Sequence, residues 1–107
     1  MPAMITELTR TFDVHGVQLA WDRFGAHGGA PLLLCHGFSG SSHDFASHVE
    51  ELASRRDVVV LDHRGHGSST KLGSVDGYSI EQLSRDLLAF VDSAVGSPVD
   101  LLGHSMG

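Results

Sequence analysis

Leu101-Leu102-Gly103-His104-Ser105-Met106-Gly107, written LLGHSMG, decides how the rest of the chain is read. Gly103 to Gly107 fits G-x-S-x-G, in which a buried strand turns sharply into a helix and presents a serine at the turn. The glycines have a physical job in that arrangement. Strand and helix cross closely, and side chains two positions either side of the serine would collide there. Five residues with three fixed positions arise readily by chance, so the neighbourhood decides between a bland loop and a strained serine. Here the pattern directly follows Val99-Asp100-Leu101-Leu102, a short apolar run that reads as a strand, which is the context the turn requires.

Working outward, the chain supplies more units of the same kind. Residues 8 to 14 (LTRTFDV) are rich in β-formers, and His15-Gly16 makes a turn. Residues 17 to 24 (VQLAWDRF) then alternate, with Val17, Leu19 and Trp21 on one side and Phe24 out of step. This predicts a hairpin at a sheet edge. After the loop GAHGGAP come Leu32-Leu33-Leu34-Cys35 and, further on, Asp57-Val58-Val59-Val60-Leu61. Continuous apolar runs bounded by turn signals are expected of strands buried on both faces.

Two helices fit between the strands. From Ser42 to Ala53, the residues Phe45, Val49 and Leu52 recur at helical spacing. Residues 79 to 95 predict a longer helix. Ser79 and Gln82 form a capping box, Tyr78 can pack on Leu83, and Gly96 with Pro98 ends the segment. Ile80, Leu83, Leu87, Val91 and Ala94 make its apolar stripe. Short apolar strands alternating with amphipathic helices give the α/β class: a mostly parallel sheet, an N-terminal antiparallel hairpin and helices on its faces. The 107 residues suffice for one small domain.

A free serine hydroxyl is a poor nucleophile. An enzyme that uses one needs a base within hydrogen-bond reach, a group orienting that base, and donors aimed at the developing oxyanion. Two more stretches follow buried strands and bear on this. Cys35-His36-Gly37-Phe38-Ser39-Gly40 leads from the first apolar strand into the first helix. Its glycine lets an amide turn into the crevice at the strand ends; the plainer reading is a glycine-rich connection with a solvent-facing histidine. Asp62-His63-Arg64-Gly65-His66-Gly67-Ser68-Ser69 follows the second strand. A dinucleotide fingerprint lacks its last glycine here and no helix follows at once. A metal site on Asp62, His63 and His66 has no thiol and no second cluster behind it. A loop whose polar groups tie strand to helix fits these residues best.

The three stretches, in this order and spacing, resemble the α/β-hydrolase family. His36-Gly37-Phe38 is similar to its oxyanion loop after strand three, residues 62 to 69 to the D-x-R-G-x-G-x-S stretch after strand four, and Gly103 to Gly107 to its nucleophile elbow after strand five. The resemblance implies a serine hydrolase with a small-molecule substrate and neither metal nor organic cofactor. Ser105 would attack a carbonyl, the amides of Phe38 and Met106 would hold the oxyanion, and His36 and Gly37 would shape the loop supplying one of them. Gly103 and Gly107 would be the elbow glycines. In this family the acid and the histidine base follow the serine. None of the eight histidines present is therefore expected to be the base. The expectation is a front part of a larger esterase- or lactonase-type enzyme, inactive alone. The alternative is a non-catalytic hydrolase-like module or a nonfunctional truncated product. Serine rather than aspartate at 105 argues against the dehalogenase and epoxide-hydrolase branches, which attack with a carboxylate.

Composition narrows the partners. With 13 acidic and 7 basic residues the net charge is −6, which leaves no electrostatic footprint for nucleic acid or an anionic membrane. The apolar runs are too short to span a bilayer. One cysteine excludes an internal disulfide framework, and MPAMITELTR lacks the order of a secretion signal. The expected location is the cytoplasm, and nothing here sets an oligomeric state.

Overall fold

The computed structural model describes residues 8–37, 40–73 and 77–104. Strands β1 (Arg10–Val14) and β2 (Val17–Phe24) form the expected hairpin. Its two-residue turn has positive φ at both positions, 44° at His15 and 82° at Gly16, as the twist of a tight hairpin demands. Strand β3 (Leu32–Cys35) leads through a 3-10 turn (Ser42–Phe45) into helix α1 (Ala46–Ala53). Strand β4 (Val58–Leu61), helix α2 (Ile80–Phe90), a wide π-type turn (Val91–Val95) and strand β5 (Asp100–Gly103) complete the order.

The sheet runs β1-β2-β4-β3-β5. β1, β2 and β4 pair antiparallel, whereas β3 lies parallel to both β4 and β5. Alternation along β3 and β4 divides the core in two. Leu33, Cys35, Val59 and Leu61 face one side with Val14, Val17, Leu19 and Phe90. Leu34, Val58 and Val60 face the other with Phe45 and Val49. α2 thus covers one face and α1 the opposite one, which is why both central strands are apolar at every position.

The buried face of α2 differs from the expected stripe. Ile80 is exposed, while Leu83, Asp86 and Phe90 are buried. Phe90 sets the rotation, because its ring packs edge-on against Phe12 and Trp21 at centroid distances of 5.6 and 5.0 Å. Asp86, three residues after Leu83, must then also point inward. The N-terminus of α2 is capped as expected, with the Ser79 hydroxyl accepting from the Gln82 amide at 3.1 Å.

β5 pairs with β3 alone among the described residues. All four of its residues are exposed, including Leu101 and Leu102. An unpaired apolar edge is a template for association. We expect the 107-residue chain to associate with rising concentration in light scattering, and Leu101→Lys with Leu102→Lys to suppress it. Equal scattering from both chains would contradict that.

Candidate active site

The register sets Cys35 of β3 level with Leu61 of β4 and Gly103 of β5. The loops leaving these strands therefore start side by side. Beyond β5, the His104 amide donates to the Cys35 carbonyl at 3.0 Å, which holds the chain against β3 one residue past Gly103. His36, Gly37 and Gly103 meet at this edge. Phe38, Ser105, Met106 and Gly107 lie outside the described residues.

His36 corrects the picture of a solvent-facing histidine, for it is completely buried. Its Nε2 accepts from the His63 amide at 3.0 Å. The proton is then on Nδ1, which donates to the Gly37 carbonyl at 2.8 Å. Gly37 also accepts from the Gly40 amide at 3.1 Å. The ring is a neutral strut between the ends of β3 and β4, and both its nitrogens are committed to backbone.

The end of β4 does the most joining. Asp62, His63 and Arg64 are consecutive and all buried. Asp62 accepts from the Ser42 amide at 2.7 Å and the Ser68 amide at 3.0 Å. Ser69 continues the tie, its hydroxyl donating to the Asp62 carbonyl at 2.6 Å and accepting from the Ala20 amide at 2.8 Å. Arg64 makes a bidentate pair with Asp86 at 2.6 and 2.8 Å, and reaches the Gly77 carbonyl at 3.0 Å. Tight turns are needed around these groups. Gly67 has φ +51°, and a Cβ on it would lie 2.2 Å from the Asp62 carboxylate; on Gly65, at φ +76°, one would strike the Tyr78 ring. The stretch 62–69 is thus the strand-to-helix tie that its polar residues suggested. Its partner on the helix, Asp86, was missed. The available signal was a carboxylate inside an apolar helical stripe, which requires a buried cation opposite it.

The rings of His36 and His63 meet edge-on at 4.6 Å, with that of His66 5.0 Å from His36. His66 turns its Nδ1 towards the Arg64 carbonyl at 2.8 Å. Asp62 is occupied by amides and His36 by backbone. Among the described residues no three His, Cys, Asp or Glu side chains converge as metal ligands. Cys35 is equally unreactive, because burial pushes its thiol up to about 11.

His63 is buried, and among the described residues neither ring nitrogen has a hydrogen-bond partner. Desolvation first, then the His36 and His66 rings, lowers its pKa from 6.5 to about 4, against opposing pulls from Asp86 and Asp62. His36 shifts the same way, mainly by desolvation. Below pH 6.5 the unfolded chain therefore binds protons that the folded chain refuses. Stability contributed by His63 is full above its unfolded pKa and is lost as pH falls towards 4, on the order of 3 kcal/mol in total. A phenyl ring in its place forfeits no hydrogen bond to the described residues. Urea titrations from pH 7 to pH 4 should show a shallower acid loss in His63→Phe than in wild type. An unchanged slope would contradict this assignment.

Comparison with known proteins agrees with this architecture. The sequence profile described as alpha/beta hydrolase fold matches residues 30–107. The dihydrolipoyllysine-residue acetyltransferase component of the acetoin cleaving system of Pseudomonas putida is 38% identical over 95 residues, covering 89% of this chain and 25% of that protein. Epoxide hydrolase A of Mycobacterium tuberculosis is 28% identical over 92% of this chain and 31% of its own length. The crystal structure of an alpha/beta hydrolase fold protein from Burkholderia ambifaria superposes with a TM-score of 0.85 at 28% identity, over all of this chain and 38% of that one. The chain thus spans about a quarter to two fifths of these three proteins. On this match of profile and superposed structure, the chain belongs to the alpha/beta hydrolase fold family.

Proposed function

We propose that residues 1–107 are the N-terminal part of one serine hydrolase domain, cytoplasmic, acting on a small-molecule ester or related carbonyl compound through an acyl-enzyme. The observation that carries this reading is the level ending of β3 and β5, with the His104 amide tied to the Cys35 carbonyl at 3.0 Å. Ser105 is the next residue in sequence after His104, and that sequence neighbourhood supports the reading. Ser105 is the nucleophile, and the amides of Phe38 and Met106 hold the oxyanion. His36 and Gly37 shape the first of those donors' loops, and Gly103 and Gly107 let the elbow turn. Serine at 105 favours an acyl substrate over the epoxide named for the Mycobacterium relative, since a hydroxyl nucleophile suits carbonyl attack.

Two of the eight histidines, His36 and His63, support a base elsewhere in the parent protein. His36 has no nitrogen left to take a proton from Ser105. His63, at about 4, is too weakly basic for work near neutral pH. The isolated chain is thus expected to leave p-nitrophenyl butyrate at the buffer rate. The product of the complete reading frame around these residues should hydrolyse it, and Ser105→Ala should cut kcat by about three orders of magnitude or more. Turnover by the isolated chain that vanishes in Ser105→Ala would overturn the claim that its base lies elsewhere. Turnover by the complete product that survives Ser105→Ala would overturn the nucleophile.

A further inference from the structure

We infer that Asp62 is a positioning residue: its carboxylate anchors the Ser42 end of the segment leaving β3 while the neighbouring His63 amide anchors the His36 end, and the turnover of the proposed reaction depends on that pair of anchors. The inference deepens the serine-hydrolase reading and rests on it. The loop is held at two points, both from the end of β4. At its start, the His36 ring accepts from the His63 amide at 3.0 Å. At its end, the Ser42 amide donates to Asp62 Oδ1 at 2.7 Å. Asp62 and His63 are neighbours, so one rigid strand end fixes both sides of the span.

Asp62 is itself fixed. It is 1% exposed, its amide donates to the Ala20 carbonyl at 2.9 Å, and its carbonyl accepts from Ser69 at 2.6 Å. Its second carboxylate oxygen accepts from the Ser68 amide at 3.0 Å, and Gly67 packs too closely for any side chain. A bare helix cap would not need this. The Ser41 hydroxyl already accepts from the His43 amide at 3.2 Å, which caps the 3-10 turn independently. Removing the Asp62 bond therefore shifts where the turn sits more than whether it forms. Two amides from different loops demand two acceptors, and asparagine offers one, its NH₂ meeting the other amide donor to donor.

The same bond can be cut from the other side. Ser42 is the first residue of the 3-10 turn, and Ser41 before it is fully extended, at φ −162° and ψ −179°. Proline suits both conditions and has no N–H to donate. Asp62→Asn and Ser42→Pro would be made in the product of the complete reading frame, with Asp57→Asn as a second buried carboxylate, at the opposite end of β4, where it accepts from Arg23 and the His27 amide. Amide hydrogen exchange over residues 40–45 and steady-state kinetics on p-nitrophenyl butyrate are the readouts.

Both loop variants should exchange about tenfold faster there and lose about ten- to a hundredfold in kcat, with KM within about twofold. Asp57→Asn should lower Tm and leave kcat below that Tm within about twofold. Unchanged exchange in Ser42→Pro would overturn the bracket. Faster exchange with unchanged kcat, or a kcat loss that tracks Tm equally in all three variants, would overturn the positioning role. Wild-type protein without Ser105-dependent turnover would sink the hydrolase reading and the catalytic half of this inference, while the exchange data would still decide whether the bracket exists.

Discussion

The ion pair between Arg64 and Asp86 is the interaction on which the rest of this chain depends. Both side chains are almost fully buried, and the guanidinium meets the carboxylate through two bonds of 2.6 and 2.8 Å. Removing one partner of such a pair leaves a charge without water or counter-ion, at a cost of about 3–5 kcal/mol. That is a large fraction of the 5–15 kcal/mol typical of a whole domain. The pair is also a junction. Arg64 carries the end of β4 to α2, to the Gly77 carbonyl before that helix and to the His15 carbonyl in the hairpin turn, while His15 turns its ring to the same Asp86.

From this junction the strand-end edge follows as one polar assembly. Asp62 reaches the turn before α1, His63 supports the His36 ring after β3, and Arg64 holds α2 on the opposite face. Three consecutive residues thus fix three separate elements around one strand end. The hydrophobic layers above and below set where the sheet lies, but they are tolerant of small shifts. Directed bonds between buried groups are not, and here they concentrate at the end of β4.

Much of this was legible in the sequence because the signals were local. LLLC and DVVVL read as buried strands since two helices cover them, and HG between β-rich runs read as a hairpin since only a tight turn tolerates two positive φ values. Ser79 announced its helix start. What escaped was nonlocal. The face of α2 turned on Phe90 meeting Phe12 and Trp21, and on Asp86 meeting an arginine 22 residues earlier, and no periodicity encodes either partner. His36 could be placed after a strand, but not under the His63 amide, because that depends on β3 and β4 being neighbours. Of the proposed site, the strand ends and the His36–Gly37 segment were recognisable, whereas the ties that hold them came only from the fold.

The central claim is that this braced edge presents Ser105 as a nucleophile. The most direct measurement is to treat the product of the complete reading frame with a fluorophosphonate and locate the adduct by mass spectrometry. The account predicts one adduct, on the peptide carrying Ser105, formed in the folded protein and abolished by prior denaturation. No adduct, or one on another residue, would contradict it.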